Sequence, residues 1–199
     1  EVQIAGSLPP LETSYRPDEV REDNDILTQY REMAALLEPH VDLLLCETLS
    51  CGREAKAAAT AACEIGKPVW LSWTLQGQLP NQLPSGESLE EAFEAIAHLD
   101  IDAYMVNCCG ANWVTQAIPH LTALTDRRVG GYANTADTIL AQEGDPEVAP
   151  ELIPRTILDV EGYAEAAHRW LTLGASVIGG CCSTRPAHIR RIRRLLDET

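Results

Sequence analysis

The sequence contains 199 residues, of which 30 are acidic and 15 basic, so its formal net charge at pH 7 is -15. A chain of this length with 45% hydrophobic residues can bury one sizeable core, which predicts a single globular domain over residues 1–199. The negative charge repels phosphate backbones and anionic membrane surfaces, and it argues against nucleic acid or a membrane as a partner.

The cysteine content indicates the compartment and the kind of chemistry. Seven cysteines, an odd number that includes two adjacent pairs, make a poor disulfide framework. The sequence also lacks an apolar run of the roughly 18 residues needed to span a bilayer. We therefore expect a cytoplasmic protein whose thiols serve metal binding or catalysis.

Strand-like and helix-like segments alternate along the whole chain. In chain order the pattern predicts a strand at 2–8, a helix within 16–40, a strand at 41–48, a helix at 52–66, a strand at 68–75, a helix at 88–99, a strand at 102–109, a helix at 112–124, a strand at 127–134, a helix at 160–174, a strand at 175–178 and a final helix. A polar stretch at 135–158 interrupts the alternation. Gly66 suits a left-handed helix end, and Ser88 with Glu91 suits a capped helix start.

Six strand–helix units of this kind predict a parallel sheet with helices outside it. Right-handed crossovers admit two solutions, which are a doubly wound open sheet and a closed (β/α)8 barrel. A barrel takes eight units and typically about 250 residues. The α/β class is therefore predicted, and a barrel would lack two of its units in this chain.

Cysteines follow two of the predicted strands, at the edge where a parallel sheet gathers its working residues. The first group is Asn-Cys-Cys at 107–109, and the second is Gly-Gly-Cys-Cys at 179–182. Together they can bring three thiolates to one ion and leave a fourth position open, as in catalytic zinc sites. We expect the two glycines to turn the chain with positive φ, and Thr184 to cap a following helix whose N-terminus lowers thiol pKa.

The alternative for each cysteine is packing in the core, where a free thiol is common. Cys46, Cys51 and Cys63 are predicted to be core or surface thiols. Cys109 should point away from the site, because side chains alternate along a strand. His188 is predicted to lie on the surface of the last helix.

Four segments together resemble the homocysteine S-methyltransferase family along nearly the whole chain. "GGCCSTRPAHI" resembles the zinc motif of that family and "MVNCCG" its upstream VNC motif, while "IAGSLPP" and "VDLLLCETL" resemble two of its strand motifs. Departures include "SLPP" for the commoner "SLGP", and "GYANT" for the usual proline-asparagine. The resemblance implies a zinc-containing (β/α)8 TIM barrel, with this chain beginning at the third strand and lacking the first two β/α units.

Carried over motif by motif, the resemblance implies Cys108, Cys181 and Cys182 as ligands of Zn2+. Glu47 would hold the amino group of homocysteine, and Asn107 would support the substrate site from beside the first ligand. No catalytic residue beyond the metal centre is implied. The implied partners are homocysteine and a small methyl donor, and the exposed strand edges of an incomplete barrel favour a homo-oligomer.

The leading hypothesis is a zinc-dependent methyltransferase that moves a methyl group from a sulfonium or other onium donor to the homocysteine thiol, forming methionine. Coordination would keep that thiol deprotonated near neutral pH. A second hypothesis is a noncatalytic zinc-binding or redox-sensing protein derived from such a barrel. A third is an open-sheet protein whose cysteines only pack.

Overall fold

The computed structural model describes residues 2–75, 79, 81–136 and 157–197. Residues 137–156, most of the predicted polar stretch, lie outside them. In chain order the elements are β1 (Ala5–Leu8), α1 (Asp23–Leu37), β2 (Leu43–Leu49), α2 (Gly52–Glu64), β3 (Val69–Trp73), α3 (Leu89–Glu94), β4 (Ala103–Gly110), α4 (Ala111–Leu124), β5 (Arg128–Asn134), α5 (Val160–Thr172), β6 (Val177–Ile178) and α6 (Pro186–Asp197). Short 3-10 turns at Pro17–Glu19 and Glu38–His40 flank α1.

In the described part of the chain, six strands form one sheet in the order β1-β2-β3-β4-β5-β6, and every neighbouring pair is parallel. A doubly wound sheet reverses its strand order at a switch point, whereas a barrel adds each unit beside the preceding one. The uninterrupted order therefore matches part of a barrel wall. The α/β class is confirmed, and the absence of two initial units stays a prediction.

The core lies between the sheet and the helices that cover it. All eight residues of β4 are buried, as expected for a strand covered on both faces. The small side chains of α2 let this helix pack closely, since six of its alanines are buried. Trp73, Tyr30, Tyr163 and Trp170 are the largest side chains that are fully buried. Among the described residues, no helix has both the length and the apolarity needed to cross a membrane.

Local signals set several element boundaries as predicted. Ser88 accepts a hydrogen bond from the Glu91 amide, and the Glu91 carboxylate accepts one from the Ser88 amide, which completes a capping box. Gly66 follows α2 with φ 78°, a left-handed conformation that glycine adopts without steric cost. Strand β6 pairs with β5 through only two residues, so it is shorter than predicted.

Two strands are irregular where they approach the carboxyl edge of the sheet. The pairing of β2 with β3 shifts register between Cys46 and Leu49, and that of β4 with β5 shifts between Asn107 and Gly110. Both irregularities contain a non-glycine residue in the left-handed region, Thr48 with φ 63° and Cys108 with φ 55°. Such irregularities re-aim side chains and are frequent beside active sites.

Candidate functional site

Three thiols meet at the carboxyl edge of the sheet. Cys108 comes from the irregular end of β4, and Cys181 and Cys182 come from the turn that follows β6. Their sulfur atoms all lie within 4.8 Å of one another, and the Cys108 and Cys182 sulfurs are 3.6 Å apart. The structure thus brings together the three cysteines that the sequence singled out.

The spacing of these sulfurs fits a metal ion. Zinc–thiolate bonds of about 2.3 Å in a tetrahedron place two ligand sulfurs about 3.8 Å apart. Exposure differs among the three, because Cys108 is buried, Cys181 is half-buried and Cys182 is exposed. The cluster could therefore hold a metal ion and remain open on the side of Cys182.

The turn that carries two of the thiols is tied to the end of β5. The Cys181 amide donates to the carbonyl of Ala133 over 2.9 Å, and the Thr135 amide donates to the carbonyl of Cys182 over 3.1 Å. The Cys182 amide also donates to the side-chain oxygen of Asn134 over 3.0 Å. Asn134 therefore fixes the thiol-bearing turn, although its segment departs from the usual motif.

The glycines of the turn act differently from the prediction. Their φ values lie outside the positive region that favours glycine, and Ser183 takes the left-handed conformation instead, with φ 65°. At Gly180 a Cβ would lie 2.6 Å from Oγ1 of Thr184, so this glycine provides room for a close approach. The prediction of Thr184 as a helix cap was also wrong, since α6 begins at Pro186 and Thr184 lies two residues before it; its hydroxyl donates to the carbonyl of Cys181.

His188 is buried, with 7% exposure, so the prediction of a surface position was wrong. Its Nδ1 accepts a hydrogen bond from the Arg185 amide over 3.1 Å, which caps the start of α6. Its ring packs edge-on against that of Tyr163. The Tyr163 hydroxyl lies 2.9 Å from the carbonyl of Ala133 and 3.0 Å from that of Gly179, so it links β5 to the thiol-bearing turn.

Cys108 has an additional partner that the sequence did not indicate. The Tyr15 hydroxyl lies 2.8 Å from Cys108 Sγ and 3.1 Å from the Cys108 carbonyl. Hydrogen bonds from Cys181 and Tyr15, working against burial, lower the pKa of Cys108 to about 6. The bond to Cys108 and burial raise the pKa of Cys181. Without metal, the cluster therefore favours a thiolate at Cys108.

Asn107 connects three strands beneath the thiols. Its side-chain oxygen accepts from the Thr48 amide over 2.9 Å and from the Ser72 hydroxyl over 2.7 Å. Its side-chain nitrogen donates to the Thr48 hydroxyl over 2.8 Å and lies 4.0 Å from Cys181 Sγ. The residue is fully buried, and its amide links the end of β2 to β3 and to the thiol-bearing turn.

Glu47 projects from the end of β2 and is held by two hydroxyl groups. Ser7 donates to one carboxylate oxygen over 2.6 Å, and Tyr132 donates to the other over 2.8 Å. Burial, followed by the charge of Glu47, raises the pKa of Tyr132, so this phenol remains a donor. The carboxylate is thus oriented from β1 and β5 at once.

The other four cysteines lie outside the cluster. Cys46 and Cys51 are buried in the hydrophobic core, and Cys63 is half-buried on α2. Cys109 is also buried in the core, as the alternation of side chains along β4 predicted. Burial raises the pKa of Cys46, Cys51 and Cys63, as expected of thiols without a reactive role.

Comparison with known proteins assigns the chain to a family. The profile of the family described as homocysteine S-methyltransferase matches residues 1–196. The chain belongs to the homocysteine S-methyltransferase family. The resemblance predicted from the four sequence motifs is thereby confirmed.

Named members of the homocysteine S-methyltransferase family show how much is shared. Homocysteine S-methyltransferase 1 of Arabidopsis thaliana is 30% identical over 172 residues, which cover 84% of this chain and 50% of the relative. Homocysteine S-methyltransferase YbgG of Bacillus subtilis (strain 168) is 28% identical over 184 residues, which cover 90% and 55% of the two chains. The chain therefore spans about half the length of these relatives.

A solved structure from the family shares the fold. The metallated form of the homocysteine methyltransferase MmuM from Escherichia coli superimposes with a TM-score of 0.76 at 27% identity. The match covers 98% of this chain and 61% of MmuM. The six-stranded parallel sheet thus corresponds to a large part of the MmuM fold.

The sequence assigned no role to three residues of the candidate site. Tyr15 lies in the loop between β1 and α1, whereas Ser7 and Tyr132 stand at the ends of β1 and β5. For Ser7 and Tyr132 a signal existed, since both occupy strand ends at the carboxyl edge. Tyr15 lies in irregular chain, and its spacing from any motif carries no comparable signal.

Proposed function

We propose that the protein is a zinc-dependent methyltransferase that transfers a methyl group from a sulfonium or other onium donor to the thiol of homocysteine, forming methionine. The observation that carries this proposal is the meeting of three thiols within 4.8 Å in a chain of the homocysteine S-methyltransferase family. The names of the relatives support homocysteine as the acceptor.

Cys108, Cys181 and Cys182 are the proposed ligands. Soft thiolate ligands suit Zn2+, and three of them leave one tetrahedral position for a substrate. Bound there, zinc would supply the Lewis acidity that keeps a substrate thiol deprotonated near neutral pH. The exposure of Cys182 supports entry of the substrate from that side.

Glu47 is proposed to bind the ammonium group of homocysteine. A carboxylate held by Ser7 and Tyr132 is already oriented before the substrate arrives, so little side-chain entropy is lost on binding. Asn107 is proposed to support the substrate site indirectly, because its buried amide holds Thr48, the residue after Glu47, and approaches Cys181.

The proposed reaction requires no general acid. The leaving group of a sulfonium donor is a neutral thioether, which departs without protonation. The chain's task is then to align donor and acceptor and to exclude competing nucleophiles. The thiol cluster contains no histidine, and the buried His188 serves the start of α6, which agrees with this requirement.

We further propose that the six units correspond to the third to eighth units of a (β/α)8 barrel, within one domain over residues 1–199. The sequential parallel order and the match to 61% of MmuM support this assignment. In such a barrel, β1 and β6 would pair with the remaining strands. Among the described strands, β1 and β6 each pair on one side only, and such free edges favour association with a second copy.

The test is the zinc content and methyl transfer of the protein and its Cys181→Ala variant. We expect about one zinc per chain in the parent protein, and loss of both zinc and methyl transfer in the variant. Cys63→Ala is the control, because Cys63 is half-buried on α2 and outside the cluster. Stoichiometric zinc together with methyl transfer in Cys181→Ala would disprove the proposed centre.

A noncatalytic zinc-binding or redox-sensing role is the second candidate. The observation that favours it is the 3.6 Å separation of the Cys108 and Cys182 sulfurs, one of them exposed. Incubation with homocysteine and S-methylmethionine separates the two candidates, since formation of methionine excludes a noncatalytic protein. Reversible loss of these two thiols under mild oxidation, without methyl transfer, would support the second candidate.

A further inference from the structure

Tyr15 reaches the thiol cluster from outside the sheet. It lies in the loop between β1 and α1, and its hydroxyl is 2.8 Å from Cys108 Sγ. The same hydroxyl is 3.1 Å from the Cys108 carbonyl, so the proton can be shared between two acceptors on one residue. The contact joins residues 93 positions apart in the chain.

Both partners in this contact have unusual backbones. Tyr15 has φ 68° and Cys108 has φ 55°, which places two non-glycine residues in the left-handed region. For a bulky side chain this conformation is an outlier, and it persists only when the surroundings impose it. Because both residues have strained backbones, the surrounding structure must hold each side of the contact between Tyr15 and Cys108 in place.

The loop that carries Tyr15 is anchored without Tyr15. The Tyr30 hydroxyl donates to the carbonyl of Pro9 over 3.0 Å, and the Leu11 amide donates to the buried carboxylate of Glu54 over 3.2 Å. Tyr30 also donates to Glu54, which closes this anchor. Because none of these three bonds involves Cys108, the Tyr15 hydroxyl is not required to hold the base of the loop.

The three thiols differ in their environment. Cys108 is the buried one, and a hydroxyl donor faces its sulfur. Cys181 is approached by the amide nitrogen of Asn107, at 4.0 Å, and Cys182 is exposed. Donors to ligand atoms orient those ligands and tune a metal centre.

We propose that Tyr15 is a positioning residue of the metal centre, whose hydroxyl fixes the Cys108 sulfur and withdraws electron density from it. The inference rests on the proposed function, because it requires a metal at the three thiols. The loop between β1 and α1 would thereby influence how strongly the Cys108 sulfur binds the metal. The chain supplies this donor from outside both cysteine motifs.

The test compares Tyr15→Phe with Tyr30→Phe in the full chain. Each variant removes one hydroxyl group, but only the first removes the donor to Cys108, whereas the second weakens the anchor of the same loop. Zinc affinity is measured by competition with a chelator, and the sulfur-to-metal charge-transfer band is recorded after cobalt replaces zinc. Circular dichroism checks that both variants fold.

For Tyr15→Phe we expect zinc to bind about tenfold more weakly, or worse, as is typical when a ligand loses its outer partner. We also expect the charge-transfer band to move to longer wavelength, because a thiolate without a donor gives up electron density more easily. Tyr30→Phe should retain the wild-type affinity and band. This pattern separates a role at the metal from a role in holding the loop.

Two results would overturn the inference about Tyr15 and leave the proposed function standing. One is a Tyr15→Phe protein with the affinity and band of the wild type, and the other is an equal change in both variants, which would show a purely structural role. If the wild-type protein itself binds neither zinc nor cobalt at the thiols, the proposed function fails and this inference fails with it.

Discussion

The sulfur atoms of Cys108 and Cys182 lie 3.6 Å apart, although 74 positions separate the two residues in the chain. The contact exists because β4, β5 and β6 are successive neighbours in the sheet, so the end of β4 and the turn after β6 lie at one edge. The cluster draws one thiol from β4 and two from the turn. Neither β4 nor the turn alone supplies the three thiols of the cluster.

Adjacent cysteines on β4 should respond oppositely to substitution. Cys108→Ser removes a proposed ligand, so zinc per chain should fall from about one to near zero at micromolar protein. Cys109→Ser places a hydroxyl in the hydrophobic core and should keep its zinc while losing about 1–2 kcal/mol of stability. Metal analysis and urea unfolding measure the two effects. Equal zinc loss in both variants would contradict the assignment.

Stability of the metal-free protein should depend on pH through Cys108. Its pKa is lowered to about 6, by hydrogen bonds from Cys181 and Tyr15, whereas an unfolded thiol titrates near about 8.5. Between these values the unfolded chain binds more protons, so the free energy of unfolding should rise with pH, by at most about 1.4 kcal/mol per pH unit. The stabilisation that the Cys108 thiolate provides is lost as the pH falls through about 6.

Urea unfolding of the reduced, metal-free protein at several pH values measures this slope. Cys108→Ser should lack it. Cys181 has a raised pKa, so its contribution is lost as the pH rises above the ordinary thiol value, outside the same window. A slope that survives in Cys108→Ser would assign the effect to another group.

Substitution of Glu47 should weaken substrate binding without displacing the metal. Glu47→Gln removes the charge proposed to meet the ammonium group of homocysteine, and a charge-assisted hydrogen bond of this kind corresponds to roughly 10- to 100-fold in affinity. Calorimetry of homocysteine binding to the zinc-loaded protein measures the loss. Glu64→Gln is the matched control, because Glu64 pairs with Arg31 on the surface. Equal affinity in parent and Glu47→Gln proteins would remove Glu47 from the site.

Substitution of the buried Glu54 should remove a second pH dependence of the free energy of unfolding. Burial raises the pKa of this carboxyl, and its Oε2 has no hydrogen-bond partner among the described residues. Because the folded pKa lies above the unfolded value of about 4.3, stability should fall as the pH rises beyond that value. Glu54→Gln keeps an acceptor for Leu11 and Tyr30 and should abolish the fall. Unfolding curves from pH 4 to about 7 test this, and an unchanged profile would refute it.

Much of the fold and the thiol cluster follows from local signals in the sequence. Alternating periodicity located the six strands and six helices of the described residues, because each strand lies in an apolar run and each helix has an apolar face. The motifs around Cys108 and Cys181 predicted their convergence, since parallel strands end at one edge. The capping box at Ser88 was predictable from four residues alone.

The remaining features depend on tertiary contacts that no local pattern records. The donor Tyr15 meets Cys108 only because the loop after β1 folds across the sheet edge. His188 lies in a basic segment that reads as surface, yet its ring fills a space beside Tyr163. The left-handed residue of the turn is Ser183 rather than either glycine, and Gly180 instead admits Thr184 at close range.

Because the last strand is short, the proposed metal would also stabilise the fold at the C-terminal end of the described chain. Strand β6 is paired to β5 through two residues, whereas β4 and β5 pair over most of their length. A metal bound between Cys108 and the turn after β6 would fasten the C-terminal part of the molecule to its centre. Removal of the ion should therefore accelerate amide exchange more in β6 and α6 than in β2 and β3. The exchange rates of β6 and α6 would then be the most sensitive measure of metal loss.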